Sequence, residues 1–350
     1  MNEDYKILIV EDHENTAKYF SKLLTSSGFY ADYVNSADEA LKSLKRTKYD
    51  IVLTDWLMPV MDGIELISKI REKINPVPLI IMITARQSEK AKETALFSGA
   101  DEYLTKPVNS SQLHNTVSSL LERISKKVVT NEEILSLSDA IEPRLQRLPP
   151  YVAVAIASST GGPPTLIEVL KCMQIGFRGV IFIVQHGPAW MLDVFPDRIR
   201  EQTGHNSYVA AHGIQAQMGC IYLAPGEIHM VLNPDTYKIE LFDGPKENYV
   251  IPAADPLFRS VAKAFGKYSV GVVLTGLGID GTLGAASIAA GGGKVIVQDP
   301  ATAVAPSMPR SVIKSNIQML VADKNEIGNL ISSTLFQLSA TLKKNAGRLE

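Results

Sequence analysis

The strongest constraint in this sequence is a pattern that occurs twice: short, nearly uninterrupted apolar runs alternating with segments whose apolar residues recur at helical spacing. Such runs suit strands buried on both faces, and the helical segments between them are the crossovers that parallel strands need. Residues 5–125 carry the runs KILIV, YADYV, DIVLT, PLIIMIT and DEYLT. They predict a three-layer α/β domain over 1–125, built on a five-stranded parallel sheet. A second series over 151–345 carries YVAVAIASST, GVIFIVQ, CIYLAP, IHMVL, KIELF, YSVGVVLT and KVIVQ. From Cys220 to Phe242 its runs are separated only by turns, which predicts an antiparallel β-hairpin inside a mostly parallel sheet. The stretch 126–150 is polar with scattered leucines and ends in Pro149-Pro150, so it reads as an interdomain linker. Ile327, Leu330, Ile331, Leu335, Leu338 and Leu342 fall at helical intervals and predict an amphipathic closing helix. At 350 residues the chain is also longer than one core serves comfortably.

Composition removes several function classes. The 35 basic side chains nearly cancel the 37 acidic ones, for a net charge of -2, and no basic block is present. Binding to nucleic acid through phosphate neutralisation is therefore not expected. Cys172 and Cys220 suit a reducing, cytoplasmic setting, each as a small buried apolar residue. The acidic start MNEDYKILIVEDHE is unlike a signal peptide, and no apolar run approaches the ~18 residues of a membrane span.

In the first domain, chemistry collects at strand ends. Glu11 and Asp12 follow KILIV, and Asp55 follows DIVLT; the C-terminal ends of parallel strands line one crevice. Three carboxylates there repel one another unless a cation joins them, and hard oxygen donors suit Mg²⁺. Thr84 and Lys106 add a hydroxyl and an ammonium to the same edge. The set suits phosphoryl transfer to Asp55, with metal and lysine neutralising charge on the phosphoryl oxygens. Taken singly, Glu11 or Thr84 could simply cap a helix or turn. Together, Asp55 in DWLMPVMDG and Lys106 before Pro107 resemble response-regulator receiver domains, a flavodoxin-like fold, over roughly 4–125. That resemblance makes Asp55 the phosphorylated residue and Glu11, Asp12, Asp55 and the Leu57 carbonyl the Mg²⁺ surroundings. It also makes Thr84 and Tyr103, with Lys106, the elements that report phosphorylation; the alternative for Tyr103 is an ordinary half-buried strand aromatic.

The output must be read from the second domain's loops. YVAVAIA runs into Ser158-Ser159-Thr160-Gly161-Gly162-Pro163-Pro164 and then a helix, so a serine is presented just before a helix N-terminus, where N–H groups and the dipole favour an oxyanion. A serine that merely caps the helix is the competing reading. GVIFIVQ ends at His186, and YSVGVVLT leads into Gly276-Leu277-Gly278-Ile279-Asp280-Gly281. A serine, a histidine and an aspartate thus lie at three strand ends, as nucleophile, base and orienting carboxylate require. These residues resemble the catalytic domain of chemotaxis protein-glutamate methylesterases of the CheB type. In that family a receiver precedes an α/β domain with the motifs G-A-S-T-G-G, Q-H-M-P and M-G-x-D-G. The matches are A-S-S-T-G-G at Ser159, Q-H-G-P at His186 and L-G-I-D-G at Asp280. The resemblance implies a Rossmann-like catalytic domain in which Ser159, His186 and Asp280 are catalytic. The backbone N–H groups of Thr160 and Leu277 would form the oxyanion hole.

Departures from the family are concentrated around the site. Ala157-Ser158 precedes the nucleophile in place of Gly-Ala, which crowds the turn and adds a competing hydroxyl. Gly187 stands where the family has methionine, and Val250-Ile251-Pro252-Ala253-Ala254-Asp255 lacks the histidine and arginine of H-R-P-S-V-D. Gln298-Asp299-Pro300-Ala301-Thr302 and Ser307-Met308-Pro309 follow the family only in part. His229 either lines the cleft or stabilises a turn. His13, His114, His205 and His212 have no partners at metal-ligand spacing and read as solvated or locally hydrogen-bonded.

The resemblance implies demethylation of glutamate methyl esters on chemoreceptor cytoplasmic domains, and deamidation of glutamine by the same acyl chemistry. A histidine kinase would supply the phosphoryl group, and phosphorylation would loosen the receiver's cover over the cleft. No cofactor is expected in the catalytic domain. Two alternatives remain at this stage: a phosphorylation-gated binding protein with a degenerate site, and a dinucleotide-binding domain using Gly276-x-Gly278-x-x-Gly281. Against the latter, Asp280 puts negative charge where a pyrophosphate would sit.

Overall fold

A computed structural model of the chain describes residues 5–74, 76–86, 88–124, 133 and 148–346. The chain divides into two compact units, Met1–Ser125 and Lys126–Glu350. The segment 126–150 expected as a linker lies outside the described residues, apart from Glu133 and 148–150.

The first unit alternates strand and helix throughout: β1 (Lys6–Val10), α1 (Glu14–Ser26), β2 (Tyr30–Val34), α2 (Ala37–Arg46), β3 (Ile51–Asp55), α3 (Gly63–Lys73), β4 (Leu79–Thr84), α4 (Glu89–Phe97), β5 (Glu102–Thr105) and α5 (Ser110–Ile124). Its strands pair in parallel in the order β2-β1-β3-β4-β5. The central strands are the continuous apolar runs, and Ile7, Leu8, Val10, Ile51 and Val52 are fully buried. Edge strand β2 has no buried residue, mixing exposed Tyr30 and Tyr33 with half-buried Ala31, Asp32 and Val34. Helix starts follow the expected cap chemistry: the Ser36 hydroxyl accepts from Glu39 N–H and the Asp62 carboxylate from Glu65 N–H.

The second unit holds β6 (Ala153–Ser158), α6 (Gly162–Lys171), β7 (Val180–Gln185), α7 (Ala189–Thr203), β8 (Asn206–Val209), β9 (Cys220–Leu223), β10 (His229–Leu232), β11 (Ile239–Phe242), α8 (Ala254–Phe265), β12 (Ser269–Val273), α9 (Thr282–Ala290), β13 (Lys294–Gln298), α10 (Ser307–Lys314), β14 (Leu320–Ala322) and α11 (Lys324–Ala346). Seven strands form one parallel sheet in the order β14-β13-β12-β6-β7-β9-β8. From β6 the chain winds outward through β7 to β9 and β8, then returns to the other side of β6 for β12, β13 and β14. The strand order therefore reverses between β6 and β12, and the crevice at their C-terminal ends is where a doubly wound sheet places its ligand.

Two expectations need correction. The hairpin is narrower than Cys220 to Phe242: β9 belongs to the main sheet, parallel to β7 and β8, and only β10 and β11 pair antiparallel. All four β9 residues are buried, whereas β11 is half exposed, so the two-sided burial of CIYL marks a sheet interior. Cys172 is exposed rather than buried, because it caps the C-terminus of α6; Cys220 is buried as expected. The closing helix α11 buries Ile327, Ile331, Leu335 and Leu342. Among the described residues, no helix is long and apolar enough to cross a membrane.

Candidate functional site

In the first unit the polar groups converge at the C-terminal ends of β1, β3, β4 and β5. The Lys106 ammonium lies 2.8 Å from Glu11 Oε2 and 2.8 Å from Asp55 Oδ2, joining two strands that carry like charges. The other Asp55 oxygen accepts from Trp56 N–H at 2.7 Å. Gly63 opens α3 directly against the Asp55 carbonyl, where a Cβ would collide with backbone. That close approach explains the glycine ending DWLMPVMDG. Burial pushes the Glu11 carboxyl upward and nearby Asp55 and Asp12 reinforce it, against the opposing pull of Lys106. Burial alone would lower Lys106, but its hydrogen bonds to Asp55 and Glu11 prevail and raise it. Three carboxylates with one ammonium leave an excess of negative oxygen donors, a set that fits a hard divalent cation such as Mg²⁺. Leu57 follows two residues after Asp55 in the same loop and is exposed.

His13 is exposed and locally hydrogen-bonded as expected, its Nδ1 3.0 Å from Asp12 Oδ1, but it does have partners close enough to share a cation, Asp12 and, at 3.6 Å, Glu11 Oε1. Thr84 and Tyr103 meet on one turn. Thr84 Oγ1 accepts from Arg86 N–H at 3.2 Å, and the Tyr103 hydroxyl donates to the Arg86 carbonyl. Tyr103 is buried rather than half buried, and the Arg86 guanidinium lies over the Trp56 ring, 4.8 Å from its centroid.

In the second unit the crevice between β6 and β12 gathers Ser159, His186 and Asp280. Ser159 follows β6 and its N–H donates to the Thr275 carbonyl beyond β12 at 3.0 Å. His186 follows β7 and its N–H donates to the Ser158 carbonyl at 3.0 Å. His186 Nε2 lies 2.8 Å from Asp280 Oδ2, and both side chains are buried. A carboxylate accepts only, so Nε2 carries a proton, and in a neutral imidazole Nδ1 is then the acceptor. That Nδ1 is buried without a hydrogen-bond partner. Usual serine-protease triads turn Nδ1 toward the carboxylate; here the ring is engaged from its other end. Burial works against the Asp280 charge, but the His186, Ala254 and Asn248 donors override it and hold the carboxyl below the usual range.

Thr160 is buried at the start of the turn before α6, and its carbonyl accepts from the Thr275 hydroxyl at 2.9 Å. Leu277 lies in the loop between Gly276 and Asp280. Gly161, in the left-handed region at φ 72°, is the N-cap of α6. Gly276 has room for no side chain: a Cβ would meet Met308 Sδ and lie 2.7 Å from Ser159 Cβ. These glycines bring backbone close to Ser159, and the Asp280 carboxylate is already saturated by protein donors. The dinucleotide reading is not favoured.

Several side chains turn out differently from their sequence reading. The Ser158 hydroxyl does not compete with Ser159, because it donates to Gln185 Oε1 at 2.6 Å and is fully buried. Gln185 Nε2 in turn donates to the carbonyls of Ser159, at 3.0 Å, and His186, at 2.7 Å. Gln185 thus ties the two loops together. The signals were its place at the end of a buried strand and its match to the glutamine of Q-H-M-P. A Cβ at Gly187 would meet Met191 Cε, so Met191 fills the space beside His186 from the next helical turn. Both ring nitrogens of His229 are engaged: Nδ1 accepts from Ala253 N–H at 3.2 Å, leaving Nε2 to donate to the Pro245 carbonyl at 3.0 Å. The His205 ring is buried and bonds at long range, its Nε2 2.9 Å from the Leu170 carbonyl, while its backbone N–H donates locally to Thr203 Oγ1 at 3.3 Å.

The first unit is a receiver in fold and carboxylate set, and the second has the layout of a serine hydrolase. A model of the CheB methylesterase family matches residues 154–331, and one of the response regulator receiver domain matches 7–118. A protein-glutamate methylesterase/protein-glutamine glutaminase of Azospirillum brasilense is 32% identical over 85% of this chain and 84% of its own length. One of the same name from Pyrococcus horikoshii is 31% identical over 91% of this chain and 90% of its own. The solved CheB methylesterase catalytic domain of Thermotoga maritima superposes with a TM-score of 0.50 at 31% identity, covering 52% of this chain and 98% of that one. The chain belongs to the CheB methylesterase family, with a receiver domain preceding the esterase domain.

Proposed function

We propose that the chain is a phosphorylation-regulated esterase that removes methyl groups from glutamate side chains of chemoreceptor cytoplasmic domains, with Ser159 as nucleophile, His186 as base and Asp280 as orienting carboxylate. The observation that carries this reading is the buried His186 Nε2–Asp280 pair at 2.8 Å, with the opposite ring nitrogen left without a hydrogen-bond partner. His186 Nδ1 takes the Ser159 Oγ proton as Oγ attacks the ester carbonyl. The Thr160 and Leu277 N–H groups hold the oxyanion. Collapse breaks the ester C–O bond, and the imidazolium gives its proton to the departing methoxide, which leaves as methanol. Water, deprotonated by the same nitrogen, attacks the acyl-serine and releases free glutamate and Ser159. A glutamine amide follows the same course with ammonia as leaving group.

In the receiver, Asp55 accepts the phosphoryl group from a histidine kinase, and Lys106, already on Asp55, pairs with a phosphoryl oxygen. When bound by Glu11, Asp12, Asp55 and the Leu57 carbonyl, Mg²⁺ supplies neutralisation of the phosphoryl charge. Thr84 and Tyr103 report the modification through the Arg86 turn on which both already bond. Domain limits of 1–125 and 151–345, a linker over 126–150 and a cytoplasmic location complete the reading. The test is methanol release from methylated chemoreceptor cytoplasmic fragments by wild type and Ser159→Ala, each with and without a small-molecule phosphodonor. Turnover that survives Ser159→Ala would remove the esterase assignment.

A further inference from the structure

Around Asp280 the structure holds more than a triad requires. Asp280 stands just before α9 but does not cap it; its carboxylate accepts from Ala254 N–H at 2.6 Å and Asp255 N–H at 3.1 Å, in the first turn of α8. Asp255 reciprocates, its Oδ1 accepting from Gly284 N–H at 2.6 Å in the first turn of α9. Each carboxylate thereby satisfies N–H groups of the other helix, whose own caps, Ala253 and Gly281, offer no side-chain acceptor. The exchange sets two buried carboxyls side by side, where like charges oppose each other.

Asn248 lies between them. Its Nδ2 donates to Asp255 Oδ2 at 2.7 Å and to Asp280 Oδ1 at 3.0 Å, one amide hydrogen for each acid. The residue is held there by an unusual strap. Asn248 and Tyr249 are both left-handed, at φ 53° and 67°, and Glu247 and Val250 close the turn with mutual backbone hydrogen bonds of 3.2 and 3.1 Å. Glu247 forms a two-pronged ion pair with Arg259 of α8, at 2.6 and 2.7 Å. His229 anchors the segment beyond by accepting from Ala253 N–H. A strained turn persists where its surroundings hold it, and here it delivers one amide to one place.

We propose that Asn248 is a positioning residue for the esterase reaction, its bridging amide separating Asp280 from Asp255 so that Asp280 stays charged with Oδ2 on His186. This rests on the Ser159–His186–Asp280 reading above. The titratable and charged groups facing the pair are His186 after β7, Glu247 in the strap, Arg259 on α8 and His229 on β10. Burial, and then the Asp280 charge, push the Asp255 carboxyl upward, the opposite of Asp280 itself. Without the amide, Asp280 loses one of its four donors and faces Asp255 directly.

The test uses the full chain and methanol release from methylated chemoreceptor fragments. Asn248→Gly keeps a left-handed turn while deleting the amide. It is expected to lower kcat by ~10- to 100-fold with KM within ~2-fold, the effect of one hydrogen bond to a charged group. The loss should deepen on the acid side of the kcat/KM profile, because a less well solvated Asp280 takes a proton sooner. Asp255→Asn alone sets two amide NH₂ groups against each other and should also lower kcat. In the Asn248→Gly background it removes the second acid, so it should raise kcat and return the acid side of the profile toward wild type. Asn248→Asp, which suits the same turn but adds a third carboxyl, should lose more activity than Asn248→Gly and serves if the glycine variant does not fold. Purely additive effects of Asn248→Gly and Asp255→Asn, or an Asn248→Gly enzyme with wild-type kcat and pH profile, overturn the proposal. Absence of Ser159-dependent methanol release in wild type would instead overturn the esterase reading on which it rests.

Discussion

Both units place an aspartate at the C-terminal end of a parallel strand beside a basic side chain, yet the two sites are electrostatic opposites. Asp55 shares its lysine with Glu11, has Asp12 nearby, and keeps a partly open position. The cluster carries more negative charge than its one ammonium cancels, and the Glu11 carboxyl is raised by burial first and by Asp55 and Asp12 after it, despite Lys106. Asp280 is sealed in, with four donors spread over its two oxygens and its carboxyl held low. The receiver's acid is left wanting a cation and is suited to carry a phosphoryl group. The esterase's acid is already satisfied and is suited to hold one imidazole still. One fold class, with the same sheet edge, reaches opposite chemistries through the number of donors it supplies to a carboxylate.

The sharpest break of this comparison is Ser159→Ala, which should cost at least ~10⁴-fold in methanol release while leaving phosphoryl uptake at Asp55 untouched. Asp280→Asn comes next, with a loss of ~10³- to 10⁴-fold in kcat, since an amide in place of the acceptor allows the wrong imidazole tautomer. Asp55→Ala acts only through the other unit. It should abolish stimulation by the phosphodonor and spare basal turnover; gating of ~100-fold corresponds to only ~2.7 kcal/mol between states. Ser158→Ala tests whether that hydroxyl is structural: it should lower stability by about 1–3 kcal/mol in denaturant unfolding, by stranding Gln185 Oε1, with kcat changed less than ~10-fold.

The smallest effect concerns pH and separates the units by stability. Burial pushes the Glu102 carboxyl up to about 7, against the opposing charge of Arg123. The folded receiver therefore holds a proton that the unfolded chain releases near the ordinary glutamate value. Its contribution to stability is complete below about 4.5 and is lost as pH rises through about 7. Melting followed from pH 5 to pH 8 should show the receiver transition falling by several degrees, and Glu102→Gln should remove most of that fall.

The receiver was the more legible of the two units. Its apolar runs map one to one onto β1 to β5, and its polar set sits next to those runs in sequence, so adjacency along the chain already placed Glu11, Asp55 and Lys106 on one edge. In the esterase unit, periodicity located β6, β7 and β12 and hence the three strand ends. It missed the short strands β8 and β14, and it assigned β9 to the hairpin, because a four-residue buried strand looks the same in either setting. Ser158 misled for a related reason: nothing local tells a hydroxyl bonded to a residue 27 positions away from a rival nucleophile.

By itself, the sequence determined two α/β units, the strand ends that carry polar chemistry, and the glycines that let backbone approach Ser159 and Asp55. These follow from local rules, namely periodicity, turn chemistry and the steric demand of a Cβ. Tertiary structure alone decided which imidazole nitrogen meets Asp280, how Gln185 joins two loops, and that Asn248 stands between two acids. Those outcomes depend on contacts across long stretches of chain. The same amide or carboxylate acts as cap, bridge or bystander according to the donors that folding brings within ~3 Å of it.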